Sequence, residues 1–216
     1  LKSLAEMRES FFTNITHEFR TPLTVILGLS RDLPNKSPDE LKQSAYAIEQ
    51  QGNNLLALIN QLLDISKIKS KMGNFDWRNG NITTYVSMLV DTYRNYACSK
   101  NIDLQLFVKE PVTMDFVPDF VNKVFNNLLS NALKFTPEYG KIIVAMWRED
   151  SNLLIEVSDT GEGMDKETAN NVFNPFYQGV TDSMNIGTGI GLALVKQVID
   201  SLNGKINVRS REGYGT

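Results

Sequence analysis

His17 is the only histidine in 216 residues, and Glu18 and Thr21 follow it within about one helical turn. It stands two residues from Ile15 and two from Phe19, a rotation of about 200° on a helix, so its ring faces away from the side those residues define. An exposed imidazole beside a carboxylate can be held in one tautomer, which leaves its other nitrogen free as a nucleophile. Farther along, Asn127, Asn131 and Lys134 are spaced to share one helical face. Neutral amide oxygens suit Mg²⁺, and a lysine one turn away can meet phosphate charge. Asp159 closes a strand on the same side as Leu153, Ile155 and Val157. An inward carboxylate there needs a donor such as the exocyclic amino group of adenine, and Gly161 and Gly163 permit a tight backbone path beside it. Gly187-Thr188-Gly189-Ile190-Gly191-Leu192 then opens a helix, where backbone amides and the helix dipole suit a triphosphate. Taken singly, each feature has an ordinary explanation: a surface histidine, an Asn-rich helix, a turn after a strand.

Several familiar sites are excluded. The third glycine of the dinucleotide fingerprint would fall where Leu192 stands, and neither Gly140-Lys141 nor Gly204-Lys205 continues into the Ser or Thr of a Walker A loop. No Asp-Phe-Gly occurs, as eukaryotic-type protein kinases require. One cysteine and one histidine cannot build a Cys/His zinc site or an internal disulfide. With 22 basic and 25 acidic side chains, a net charge of −3 gives no reason to expect nucleic acid. No apolar run reaches the roughly 18 residues of a bilayer span, so a cytoplasmic location is expected.

The elements that must position these residues fall into two parts. Apolar residues recur at three and four spacings through Ala5, Phe12, Ile15, Phe19, Ile26, Leu29 and Leu33, and again through Leu41, Ala45, Ile48, Gly52, Leu55, Ile59 and Leu62. Pro34 and Pro38 mark the turn between, and Pro22 is expected to bend the first helix just past His17. The pattern predicts an all-α hairpin whose uncovered stripe is buried by pairing with a second copy into a dimeric four-helix bundle. After about residue 72 the pattern predicts helices over 81–99, 118–135 and 190–202, and strands over 103–108, 112–116, 141–147, 152–158 and 205–209. Two domains are therefore expected, 1–72 and 73–216, the second an α+β sandwich.

The string Phe11-Phe12-Thr13-Asn14-Ile15-Thr16-His17-Glu18-Phe19-Arg20-Thr21-Pro22-Leu23 resembles the H box of sensor histidine kinases of two-component systems. Segments 127–134, 159–164, 173–176 and 187–192 are similar, in order, to the N, G1, F and G2 boxes of that family's catalytic domain, which shares a superfamily with gyrase, Hsp90 and MutL. The resemblance implies ATP-dependent autophosphorylation of His17 in a homodimer, then transfer to an aspartate of a response-regulator receiver domain. It implies Glu18 as the partner of the ring, Thr21 in receiver dephosphorylation, Asn127 and Asn131 on Mg²⁺, and Lys134 on phosphates. Asp159, Gly161 and Gly163 would hold adenine, Phe173 and Phe176 would form the F box, and 178–186 the lid. Gly187, Thr188, Gly189, Gly191 and Leu192 would close the ATP site. Asn174 stands where the family often has an acidic residue, and the family continues into one more strand after Gly213-Tyr214-Gly215-Thr216. Trp77-Arg78-Asn79-Gly80 is similar to hybrid sensor kinases of gut bacteria, and the whole to the cytoplasmic portion of an inner-membrane sensor. Alternatives are an ATPase of the same superfamily that drives conformational change, or a catalytically silent dimeric scaffold.

Overall fold

The three-four spacing of apolar residues, interrupted at Pro34, produces the hairpin. The computed structural model describes residues 4–70, 75–179 and 188–216. In it α1 (Leu4–Asp32) and α2 (Pro38–Ser70) pack together across a 3-10 turn (Leu33–Asn35). α2 starts with Pro at its first position, and the Ser37 N–H and hydroxyl both donate to the Glu40 carboxylate, at 2.9 and 2.6 Å. α1 continues without a break through Pro22, which is itself buried.

The second part begins with β1 (Arg78–Asn81), α3 (Ile82–Ser99), β2 (Asp103–Val108), β3 (Thr113–Phe116) and α4 (Pro118–Phe135). It continues with β4 (Lys141–Glu149), β5 (Asn152–Asp159), α5 (Lys166–Asn171) and α6 (Gly191–Ser201). β1 and β3 form an antiparallel pair, while β4 is central in a mixed sheet, parallel to β2 and antiparallel to β5. The alternation of β4 puts Ile142, Val144 and Met146 on one face, where Val86, Val90, Phe125, Leu129 and Leu133 of α3 and α4 cover them. α4 reads as buried toward the sheet through Phe125, Leu129 and Leu133, and its Asn127, Asn131 and Lys134 lie half-buried along another side. That division of one helix sets up the site.

One expectation changes. Residues 205–209 form no strand, although Ile206 and Val208 alternate; the C-terminal segment meets β5 at its end, where the Asp159 N–H donates to the Thr216 carbonyl at 2.8 Å. In the single chain Leu41, Ala45 and Ile59 of α2 and Phe12 of α1 are exposed, on the part of the stripe that the hairpin does not cover by itself. Among its described residues α2 buries Leu58, Ile65 and Ile68 on a face that turns toward the second part of the chain, while Ser44 is buried near the hairpin turn, where its hydroxyl accepts from the Lys36 ammonium at 2.8 Å.

Candidate active site

Asn127 and the start of α6 are pressed together: a side chain at Gly191 would collide with the Asn127 amide oxygen. The Asn127 amide donates to the Lys123 carbonyl one turn back at 2.7 Å, which leaves its oxygen turned toward Gly191. Burial lowers the pKa of Lys134, whose ammonium sits 4.9 Å from the Phe135 ring centroid, a site that favours arrival of an anion. Asp159 lies on the core face opposite Ile142. Burial raises the pKa of its carboxyl, while hydrogen bonds from the backbone of Gly161 and Thr216 work the other way. The Gly161 N–H reaches Asp159 Oδ1 at 2.8 Å. The carbonyl of Phe135 accepts from Glu162 N–H at 3.2 Å, which brings the loop after β5 onto the end of α4 beside Lys134. Gly163 has φ +67, and a side chain there would strike the Arg211 carbonyl.

Sequence spacing did not single out the C-terminal turn, yet it completes this corner. Ser210 Oγ accepts from Met164 N–H at 2.8 Å and lies 2.8 Å from the Thr216 hydroxyl. The only signal available was the pair of glycines at 213 and 215, both at positive φ.

The hairpin closes the other side. Leu58, Ile65 and Ile68 of α2 share one apolar cluster with Val117, Phe120, Ile190, Leu194 and Val198. Phe176 packs against the same cluster, and its ring lies 5.3 Å from that of Phe11 on α1. It adopts φ +64, donates its N–H to Gly189 O at 2.8 Å, and leads into a cleft of about 320 Å³ lined by Asn14, His17, Glu18, Phe176, Tyr177 and Gln178. Gly189, at φ +65, has no room for a side chain beside the Phe176 backbone. His17 is exposed, and the Thr21 hydroxyl donates back to the His17 carbonyl at 3.4 Å. Burial raises the pKa of Glu18; the Gln178 amide, which donates to Glu18 Oε1 at 3.4 Å, and the charge of His17 oppose this. Phe173 is half-buried in the turn after α5, and Leu192 is half-buried in the first turn of α6. Gly187 and most of the expected lid lie outside the described residues.

The structure thus brings Asn127, Phe176, Gly189 and Gly191 together, sets Asp159 and Gly161 at the end of α4, and joins Phe176 to the His17 helix. Two family patterns fall on these regions: the His Kinase A (phospho-acceptor) domain over residues 7–71, and the histidine kinase-, DNA gyrase B- and HSP90-like ATPase over residues 116–216. The chain belongs to the sensor histidine kinases. Among relatives, Histidine kinase P4 of Formosa agariphila is 32% identical over 100% of this chain and 16% of its own length. The Autoinducer 2 sensor kinase/phosphatase LuxQ of Vibrio vulnificus is 36% identical over 95% of this chain and 25% of its own. The chain therefore corresponds to a small part of each of these curated kinases. The histidine kinase ThkA, solved with its response regulator TrrA, shares the fold at a TM-score of 0.77 and 22% identity, over 98% of this chain and 62% of that one. Among the described residues of this kinase, no helix is long and apolar enough to cross a membrane.

Proposed function

We propose that this chain is the catalytic core of a two-component sensor, with 1–72 as phosphoacceptor and dimerisation domain and 73–216 as ATP-binding domain. It moves the γ-phosphoryl group of ATP to His17 and then to a receiver aspartate. The observation that carries this reading is the cleft at His17: its far wall, residues 176–178, is hydrogen-bonded at Phe176 to Gly189 of the Gly-rich loop. That bond supports a reading in which nucleotide and acceptor belong to one assembly.

Asp159 would accept from the adenine amino group, and the Gly189–Gly191 backbone and Lys134 would face the phosphates. The donor set on α4 fits Mg²⁺: two half-buried amide oxygens, with Asn127 Oδ1 directed to the mouth of the Gly-rich loop. When bound there, Mg²⁺ would neutralise phosphate charge, and Asn127 and Asn131 would hold it. An unprotonated nitrogen of His17 attacks the γ-phosphorus, the new N–P bond forms as the bond to the ADP oxygen breaks, and Glu18 holds the proton on the other nitrogen. Catalysis is then mainly positioning and charge neutralisation. Thr21, one turn from His17 and near Glu18, suits the orientation of a water in receiver dephosphorylation, and the name sensor kinase/phosphatase borne by LuxQ supports that second activity. The uncovered apolar residues Leu23, Leu27, Leu56 and Leu63 support a homodimer, and family membership supports an inner-membrane sensor with a receiver partner.

Incubation with γ-labelled ATP tests the reading. Wild type should gain acid-labile, base-stable phosphate, and both His17→Ala and Asn131→Ala should lose it. ATP hydrolysis without protein labelling would favour the superfamily ATPase, and absence of nucleotide binding would favour the scaffold.

A further inference from the structure

Gln61 lies on α2 between the buried Leu58 and Ile65, on the side of the helix that meets the catalytic domain. Its Oε1 accepts the Thr188 hydroxyl proton at 2.9 Å, in a partly buried contact that spans the two domains. A threonine hydroxyl has one proton to give. The Thr188 oxygen in turn accepts from Ile190 N–H at 3.4 Å, the amide that opens α6. Two donors of the Gly-rich loop, one side chain and one backbone, are consequently used up inside the protein. Ile190 itself is fully buried in the same cluster as Leu58, which holds the start of α6 against α2 beside Thr188. One turn beyond Gln61, Asp64 stands 3.4 Å from Lys123 of α4, which also pairs with Asp119, and Lys123 precedes Asn127 by one turn. The same face of α2 therefore grips both elements that bear the nucleotide residues.

We propose that Gln61 is a positioning residue for the nucleotide: by taking the Thr188 proton it withholds that donor from phosphate, so hairpin contact and phosphate binding at the Gly-rich loop compete. The inference rests on the Gly-rich loop being the phosphate site. Linkage makes the effect reciprocal, so a nucleotide that claims Thr188 loosens the grip of α2 by the same factor.

Calorimetric titration of the whole chain with Mg·ADP tests it. Gln61→Met keeps the length of the side chain and removes the acceptor, and Gln61→Ala is a second removal. Both should tighten Mg·ADP binding about three- to tenfold, the factor carried by one net hydrogen bond. In a Thr188→Val background, where no hydroxyl is left to release, Gln61→Met should change binding less than about twofold. Equal tightening in both backgrounds would mean that α2 is merely loosened, and would overturn the proposal, as would unchanged or weaker binding in Gln61→Met. Failure of wild type to bind Mg·ADP would instead remove the nucleotide site itself, and the proposal with it.

Discussion

Asp159 is asked to be charged in a place that disfavours charge. Because burial raises its folded pKa, its contribution to stability is present below the ordinary aspartate value of 3.8 and is lost as pH rises through the raised one. At neutral pH the ionised carboxylate weakens the fold. Asp159→Asn should therefore melt at the same or a higher temperature, since Asn can still accept from Gly161 N–H, while losing nucleotide affinity by more than about tenfold. Thermal denaturation and nucleotide titration on one sample check both halves. In wild type, nucleotide affinity should fall on acidification from a pH above that of an ordinary aspartate, and this dependence should vanish in Asp159→Asn. The strand alternation made Asp159 legible in the sequence. Its partner Thr216 was not, because a contact 57 residues away along the chain leaves no periodic trace. Likewise the spacing put His17 off the Ile15–Phe19 side, and nothing local announced that Gln178 would reach Glu18.

At the scale of elements, the two faces of α2 are the lesson. The turn at Pro38 located its start, but one apolar stripe was expected where two exist, and a wide stripe on a long helix cannot by itself say which half meets which neighbour. Leu58, 2% exposed, belongs to the face that grips the catalytic domain. Leu58→Ala should cost about 2–4 kcal/mol of that contact, seen as faster amide exchange in α6 with the sheet unchanged. The strand expected at 205–209 does not form although β5 has an open edge: alternation shows that a segment could pair, not that it does. α5, six residues begun by an Asp165 side chain that accepts from Thr168 N–H at 2.7 Å, was too short for any period to register.

At the scale of the whole molecule, one copy leaves Leu23, Leu27, Leu56 and Leu63 bare along the hairpin. Sedimentation should show dimers at micromolar concentration, and Leu27→Glu with Leu56→Glu should shift them to monomers that keep their helical content. A last consequence follows from the ring of Phe11 bearing on that of Phe176. α1 is in effect a camshaft with Phe11 as its lobe and the Phe176 backbone, tied to Gly189, as the follower. A step of one residue about the helix axis, about 100°, carries the lobe clear of the follower. Rotation of the shaft would be expected to reshape the cleft beside His17, whose wall includes Phe176.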